Sequence, residues 1–170
     1  MFEIIKFKQL ILDNINYETS FKVQDKLIIP LSYKNSQPLF IQLPPLYFDN
    51  LVNKLMILSL ISKSNKISQN IVSFFDKLEN KFTDDLKNII KKNKQKLSNN
   101  NKFTYNRLLY IISNNEPKVY GLKLNTDNVK IFNKNHELIS SDNIRSLIGT
   151  YINSIVDLNS IIISNENIFI

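Results

Sequence analysis

The sequence lacks cysteine, and it contains only two glycines, Gly121 and Gly149, in 170 residues. Without cysteine the chain can form no disulfide, no thiolate zinc site and no cysteine nucleophile. Phosphate-binding P-loops and dinucleotide-binding loops need several closely spaced glycines, because side chains would keep the backbone away from the phosphates. These two shortages exclude most nucleotide-driven enzymes.

Long apolar runs are also missing. The longest uninterrupted run near the middle of the chain is residues 55–58, far short of the ~20 residues that cross a bilayer as a helix. The first residues, "MFEIIKFKQLILDNINY", include Glu3 and Asp13 and no small-residue cleavage site, so we predict no signal peptide. We expect a soluble, intracellular protein with no membrane partner.

Candidate catalytic residues are few. His136 is the single histidine and lies in the polar stretch "NKNHELISSD", which we interpret as a solvated loop. General-base chemistry needs a second positioned group, and zinc sites need several ligands. Asp84 and Asp85 are neighbours on a predicted helix, where adjacent side chains point in different directions and form no carboxylate pair. We predict a protein that is not an enzyme and that binds no metal or other cofactor.

The formal charge is +7, and nearly all of the positive charge is lysine, since the only arginines are Arg107 and Arg145. A basic balance favours a polyanionic partner. Lysine, asparagine and isoleucine dominate the whole chain, however, as an AT-rich gene would also produce. The sequence leaves both explanations open.

The clearest element is a helix predicted from about Ser68 to Leu97, with Ser68 as its N-cap. Its apolar residues recur at spacings of three and four and form one stripe, which comprises Ile71, Phe75, Leu78, Phe82, Leu86 and Ile89. A lysine cluster follows at its C-terminal end, where the helix dipole favours cations: Lys91, Lys92, Lys94 and Lys96.

Strands are predicted on both sides of this helix. "SFKVQDKLIIP" alternates as one half-buried strand, with Lys22, Gln24 and Lys26 on its polar face. "PLFIQLPPL" is a short strand that ends at two prolines. Further strands are expected at residues 118–124, 129–132, 150–156 and 160–163, with a short helix in "SSDNIRSL" capped by Ser141 or Asp142. Strands, one long helix and more strands indicate an α+β protein with a mainly antiparallel sheet.

Two segments stay ambiguous. "LMILSLIS" fits a buried strand or the end of a helix that starts at Phe48, and "FTYNRLLYIIS" fits a short helix or a buried strand. Periodicity alone does not separate these alternatives over such short apolar runs.

Aromatic and basic residues are the remaining signal, with 11 Phe and 7 Tyr in the chain. Single-strand-binding sheets stack bases on exposed aromatic rings and hold phosphates with lysine. In "KVYGLKL" Lys118 and Tyr120 share a face, while Lys123 points the other way with Val119, and in "VKIF" Lys130 and Phe132 share one. We expect Lys118 and Tyr120 on an exposed, concave face and Phe132 at least half buried. Candidate nucleic-acid contacts are Lys22, Lys26, Lys118, Tyr120, Lys123, Lys130, Lys134 and Arg145.

The order of several segments resembles a known family. "PLFIQLPPL", "NIVSFFDKLENKF", "YGLKL", "VKIFNKNHELIS" and "IGTYINSIVDLNSIIISNENIFI" follow one another as in the OB-fold single-stranded-DNA-binding proteins of nucleocytoplasmic large DNA viruses, including the poxvirus and African-swine-fever-type proteins. The resemblance runs from Pro38 to the C-terminus. This chain has Ile162 and Ile163 where such proteins tend to have an aromatic residue, often Trp, and no glycine in the turn that follows.

The resemblance implies a single OB-like domain over residues 1–170, built as a curved antiparallel sheet or a barrel. It further implies sequence-independent binding of single-stranded DNA, or of RNA, during viral DNA replication in the host cytoplasm, with self-association left open. The alternative function is that of a non-enzymatic viral structural or interaction protein, in which the basic balance reflects composition alone.

Overall fold

The computed structural model describes residues 3–60, 65–92, 104–106, 108–113, 119–125, 130–133, 135, 137–164 and 167–169. Two compact units contain them. Unit 1 comprises Met1–Leu43, Ser73–Leu108 and Ile155–Ile170, and unit 2 comprises Pro44–Val72 and Leu109–Ser154. The single domain expected over residues 1–170 stays a prediction.

Fourteen strands and one long helix make up the described chain. In chain order they are β1 (Ile4–Lys6), β2 (Ile15–Tyr17), β3 (Phe21–Val23), β4 (Lys26–Tyr33), β5 (Phe40–Gln42), β6 (Leu46–Val52), β7 (Leu55–Ser59), α1 (Asn65–Lys92), β8 (Thr104–Tyr105), β9 (Leu109–Ser113), β10 (Val119–Asn125), β11 (Tyr151–Ile152), β12 (Ile155–Asp157), β13 (Ser160–Ser164) and β14 (Asn167–Phe169). All but two of the strand pairings are antiparallel. The predicted α+β class with a mainly antiparallel sheet is confirmed, and the described strands form open sheets rather than a closed barrel.

Helix α1 confirms the predicted apolar stripe. Five of its six stripe residues are buried at spacings of three and four, namely Ile71, Phe75, Leu78, Phe82 and Leu86, and Ile89 is half-buried. The predicted N-cap is wrong, because α1 already includes Asn65 and Ser68 lies within its first turn. Leu97, Lys94 and Lys96 lie outside the described residues.

The two neighbouring aspartates of α1 point to different partners, as expected. Asp84 pairs with Lys87 at 2.8 Å, and Asp85 pairs with Lys81 at 2.9 Å. Both are helix ion pairs at spacings of three or four residues, the spacing at which side chains on a helix surface meet.

Unit 1 contains two sheets. In the larger one the strand order is β2, β4, β13, β14 and β8, with β3 also paired to β4, and in the smaller one β5 lies between β1 and β12. Strands β13 and β14 therefore share a sheet with the residues around Leu27. The inner face of the larger sheet is fully buried and comprises Leu27, Ile29, Ile161, Ile163 and Ile168.

The strand predicted over "SFKVQDKLIIP" is wrong as a single element, because the chain reverses at Gln24 and Asp25 to form the β3–β4 hairpin. Gln24 adopts a φ of +55°, as the turn requires. The turn was not visible in the sequence, because no glycine or asparagine stands at this position. In the hairpin register Lys22 lies opposite Leu27, and Val23 lies opposite Lys26. Since cross-strand partners share a face, Lys22 and Lys26 lie on opposite faces rather than on one.

Unit 2 contains one five-stranded sheet in the order β11, β6, β7, β10 and β9. Both ambiguous segments are strands here: β7 pairs with β6, and β9 pairs with β10. One face is the core of the unit, where Phe48, Leu58, Leu122 and Leu109 form a buried cross-strand row.

Three further expectations in the last third of the chain are corrected. The strand expected at residues 129–132 is reduced to an isolated bridge between Phe132 and Leu138 among the described residues. The strand expected at 150–156 is two strands, β11 and β12, which belong to different units. The short helix is a 3-10 helix at Ser141–Leu147, which follows Ser140 and has no side-chain cap.

Candidate nucleic-acid interface

The outer face of the unit 2 sheet carries one cross-strand row that runs through all five strands. Its members are Tyr151, Tyr47, Ser59, Gly121 and Tyr110, each directly opposite the next. We call it the tyrosine row. Alternation along each strand places this row on the face opposite the buried row of Phe48 and Leu58. The sheet thus turns its aliphatic face inward and a tyrosine-bearing face outward.

The centre of the tyrosine row is small and closely packed. A Cβ on Gly121 would lie 2.7 Å from Ile112 Cδ1 and 3.0 Å from the Leu58 carbonyl oxygen, so only glycine fits beneath the Ile112 side chain. Ser59 is only 1% exposed. The aromatic rings therefore lie at the two ends of the row, where Tyr47 and Tyr151 meet edge to face at a centroid distance of 5.5 Å.

A lysine lies beside the other end of the row. Lys123 Nζ is 4.2 Å from the centroid of the Tyr110 ring, a cation–π contact, and the Lys123 side chain is exposed. Lys123 is two residues beyond Gly121 on β10 and so shares its face. The arrangement places an aromatic ring and an exposed cation side by side on the sheet.

Tyr110 is held in its neutral form. Burial, and secondarily the negative charge of Asp49, raises the pKa of the Tyr110 phenol to about 12. Its hydroxyl oxygen is buried and has no hydrogen-bond partner among the described residues. The phenol is therefore neutral at physiological pH, as an ordinary tyrosine also is, and the Asp49 carboxylate lies close enough to act on it.

Tyr120, the predicted stacking residue, lies on the face opposite the tyrosine row. It pairs with Ile111 across the β9–β10 ladder and shares the inner face with buried Leu122. It is half-buried rather than exposed. Lys123 lies on the opposite face from Tyr120, as expected, and Lys118 and Lys134 lie outside the described residues.

Phe132 is also placed differently from the expectation of at least half burial, since it is 55% exposed. Its partner across the bridge, Leu138, is exposed too, and among the described residues from 130 to 138 Ile131 is the one that is buried. Lys130 and Phe132 flank Ile131 and are both exposed, which agrees with the predicted shared face. An exposed aromatic ring and an exposed lysine therefore lie two residues apart here as well.

The other candidate residues are exposed but scattered. Arg145 lies on the 3-10 helix of unit 2. Lys22 and Lys26 lie in unit 1, on opposite faces of the β3–β4 hairpin. The structure thus brings Lys123 next to an aromatic ring and leaves Lys22 and Lys26 apart from each other.

Unit 1 also has a pocket of about 460 Å³. Glu18 and Asp157 both line it, and Glu18 accepts hydrogen bonds from the hydroxyls of Ser32 and Ser36. Two carboxylates in one pocket repel phosphate, so this pocket does not serve a nucleic acid. In the part of the chain that the structure describes, no three acidic or histidine side chains cluster as a metal site, and no helix is long and apolar enough to cross a membrane.

Sequence analysis missed the three tyrosines of the row. Tyr110 lies in "FTYNRLLYIIS", where helix and strand remained open, and its face could not be assigned without that choice. Tyr47 and Tyr151 are more than a hundred residues apart and meet only through the β6–β11 pairing.

Comparison with known proteins gives no match: no protein-family model, no curated protein and no solved structure is detectably similar to this chain.

Proposed function

We propose that the protein binds single-stranded nucleic acid without sequence preference, through the outer face of the unit 2 sheet. The observation that carries the proposal is the position of the exposed Lys123 side chain, whose Nζ lies 4.2 Å from the centroid of the half-buried Tyr110 ring. Stacking on aromatic rings with lysines beside them is how sheets bind single strands regardless of base, because every base has a π face.

The energies of the two competing contacts favour this use. A cation–π contact at an exposed site is worth about 0.5–1 kcal/mol, whereas a base stacked on an aromatic side chain is worth about 1–3 kcal/mol. A base can therefore displace the Lys123 ammonium from the Tyr110 ring. The Lys123 side chain then binds the neighbouring phosphate. Tyr110 thus contacts the base of a nucleotide while Lys123 contacts its phosphate.

The length of the face suits several nucleotides. Tyr47 and Tyr110 are separated by three inter-strand spacings, or roughly 14 Å at about 4.8 Å each. Exposed Phe132, with Lys130 two residues before it, adds a second aromatic and basic pair in the same unit. These pairs supply stacking and charge without any contact that selects one base.

We take single-stranded DNA as the natural partner, in viral genome replication in the host cytoplasm, on the strength of the segment order described above. Stacking and phosphate contacts alone do not distinguish DNA from RNA, for which a contact to the 2′-hydroxyl is needed. We therefore expect the two polymers to bind with similar affinity.

A second candidate function rests on a different surface. In unit 1, Phe21, Ile28, Ile162 and Phe169 form one cross-strand row on the outer face of the larger sheet. Both phenylalanines are exposed, and the row contains no charge. An uncharged aromatic stripe on a sheet surface favours contact with another protein, as in a non-enzymatic structural or interaction protein.

Fluorescence anisotropy with labelled homopolymeric oligonucleotides tests the first function. Wild-type protein should bind single strands, and Tyr110→Leu should weaken binding by about 5- to 150-fold, the equivalent of about 1–3 kcal/mol. Tyr120→Leu, the same change on the opposite face, is the matched control and should leave affinity unchanged. Wild-type protein that binds no oligonucleotide, or equal losses in both variants, would refute the proposal.

A further inference from the structure

The outer face of the larger sheet in unit 1 has an apolar centre. Four neighbouring strands each place one apolar side chain there, directly opposite the next: Phe21, Ile28, Ile162 and Phe169. We call this the phenylalanine row. Phe21 is 48% exposed and Phe169 is 44% exposed, and the two isoleucines between them are half-buried. Almost half of each terminal ring therefore contacts solvent, although removing a phenylalanine from water is favourable.

Polar residues border the phenylalanine row. Ser160 and Ser164 lie two residues to either side of Ile162 on β13, and Lys26 lies two residues before Ile28 on β4. Within β3, β4, β13 and β14, Lys26 is the single charged residue of this face. An apolar centre with a polar border is typical of a contact between proteins. One lysine supplies too little positive charge for a nucleic acid.

The phenylalanine row is symmetric from end to end, because a phenylalanine lies at each end and two isoleucines lie in the middle. Its midline runs between β4 and β13, parallel to the strands. We infer that two copies of the chain associate face to face through this row, related by a two-fold axis that runs above the midline. Such an interface must be complementary to itself, since each copy presents the same surface.

The two-fold arrangement determines which residues meet. A half-turn exchanges β3 with β14 and β4 with β13, so Phe21 of one copy faces Phe169 of the other, and Ile28 faces Ile162. Each exposed ring is then covered by a second ring, a favourable aromatic pair. Packed sheets lie about 10 Å apart, and strands of aligned sheets cross at about 30°, which displaces residues so near the axis only slightly. No like charges face one another, because the row carries none.

The size of the face sets the strength of the association. Four strands at about 4.8 Å spacing and five residues of β4 at about 3.3 Å each give a face of roughly 19 by 16 Å. Two such faces bury less than the ~1,200 Å² of stable complexes, so the dimer should be weak and depend on concentration. The inference rests on the second candidate function, for which it names the partner, and not on nucleic-acid binding by unit 2.

Sedimentation equilibrium without nucleic acid tests the association. The wild-type mass should rise with concentration from 19.9 kDa toward twice that value. Phe21→Glu should keep the mass of one chain, with an unchanged circular dichroism spectrum, because the contact would bury an unpaired carboxylate. Phe132→Glu is the matched control, the same change at an exposed phenylalanine of unit 2, and it should still dimerise.

A second substitution tests the pairing of Phe21 with Phe169. The double variant Phe21→Glu, Phe169→Lys should recover part of the association, because opposite charges then face each other between copies. The double variant Phe21→Glu, Phe169→Glu should recover none. Within one copy the two positions are three strand spacings apart, or about 14 Å, which exceeds the screening length of about 10 Å at 0.1 M salt. A recovery therefore reports the contact between copies.

Single cysteine variants give an independent measurement, because the chain has no cysteine of its own. In the two-fold arrangement position 21 of one copy lies about 10 Å from position 169 of the other, whereas the two copies of position 21 lie roughly 17 Å apart. A bismaleimide with an arm of about 10 Å should therefore join Phe21→Cys protein to Phe169→Cys protein in a mixture, and neither protein to itself.

Four results would overturn the inference. They are wild-type protein that stays a monomer up to roughly millimolar concentration, a Phe21→Glu protein that dimerises like wild type, a Phe132→Glu protein that does not dimerise, and crosslinking that is no stronger in the mixture than in either cysteine variant alone. A wild-type monomer would leave the phenylalanine row to a different protein. Because these assays contain no oligonucleotide, their failure is distinct from a failure of the nucleic-acid proposal.

Discussion

The hydroxyl of Tyr17 donates a hydrogen bond of 2.7 Å to Asp85 Oδ2 across 68 residues of sequence. Asp85 also pairs with Lys81 at 2.9 Å, and the Tyr17 ring meets the Phe82 ring edge to face at 6.3 Å. Strand β2 is thereby joined to helix α1 by one polar and one aromatic contact from a single side chain. Such a donor matters because a carboxylate near the protein interior needs partners that replace water.

Tyr17→Phe should destabilise the protein by about 1.5–3 kcal/mol, the usual range for a lost hydrogen bond to a charged group. The ring contact with Phe82 is retained, so the loss reports the hydroxyl alone. Urea unfolding at neutral pH measures it. The control is Tyr33→Phe, whose hydroxyl accepts only a 3.4 Å bond from the Ile11 amide, and it should cost less. Equal losses of stability in the two variants would show that the Tyr17–Asp85 hydrogen bond stabilises the fold no more than the Tyr33–Ile11 one.

Stability should fall at alkaline pH, because Tyr17 and Tyr110 ionise more readily in the unfolded chain than in the folded protein. Burial first, and then the hydrogen bond and charge of Asp85, raises the pKa of Tyr17 well above its usual range, and burial raises the pKa of Tyr110 to about 12. Unfolded tyrosines ionise near pH ~10. The unfolded chain therefore releases protons first, and the stabilisation present below about pH 10 is lost as the pH rises toward 12.

Urea midpoints measured at intervals between about pH 9 and 12 test this linkage. The wild-type midpoint should drop more steeply than that of the Tyr17→Phe, Tyr110→Phe double variant, because phenylalanine has no proton to lose. Parallel curves for the two proteins would show that neither tyrosine is linked to unfolding.

The predictable part of the fold is the part that local sequence controls. The stripe from Ile71 to Leu86 is visible because a helix repeats every 3.6 residues within one segment. The β3–β4 hairpin was not predictable, because the apolar alternation of Phe21 and Val23 continues at Leu27 in the sequence, and neither Gln24 nor Asp25 is a glycine that would mark a turn. Strand pairings such as β4 with β13 join residues far apart in sequence, which no local pattern encodes.

The candidate site, like the fold, was predictable only where local sequence decides the structure. Alternation along β10 correctly separated Tyr120 from Lys123, but which face is buried depends on β7 and β9, whose pairings are not local. Tyr120 was therefore predicted to be exposed, whereas Tyr120 and Tyr110 are both half-buried and lie on opposite faces of the sheet. Phe132 was expected to pack because Ile131 and Phe132 are both apolar, yet only Ile131 finds buried surroundings.

Gly121→Ala should destabilise the protein by about 1–3 kcal/mol, the usual cost of overpacking. Its Cβ would meet Ile112 Cδ1 at 2.7 Å and the Leu58 carbonyl at 3.0 Å. Ile112→Val removes the Cδ1 atom, so the double variant should recover part of the loss in thermal unfolding. A double variant no more stable than the sum of the two single changes would show that Ile112 is not the obstacle.

Salt dependence should identify the lysine that contacts phosphate. For single strands the log–log slope of affinity against salt is about −0.7 per phosphate contact. Lys123→Gln should reduce the magnitude of the slope by about 0.7, because one contact is lost. Lys77→Gln, which removes the same charge from the exposed surface of α1 in unit 1, should leave it unchanged. Equal slopes in all three proteins would exclude Lys123 as a phosphate contact.

Phe132→Ala should weaken binding of single strands while leaving stability almost intact. The ring is 55% exposed, so its removal creates no cavity, and surface changes of this kind are usually within about 0.5 kcal/mol. If the ring stacks on a base, affinity falls by about 1–3 kcal/mol. Anisotropy and urea unfolding on the same preparation separate the two effects.

The contrast for that experiment is Phe75→Ala, in the buried stripe of α1. It should cost about 3–5 kcal/mol of stability, because truncating a buried phenylalanine leaves a cavity. The two substitutions delete the same atoms, so burial alone accounts for a difference in stability. A Phe132→Ala protein that unfolds as readily as Phe75→Ala but binds like wild type would place Phe132 in the core and remove it from the interface.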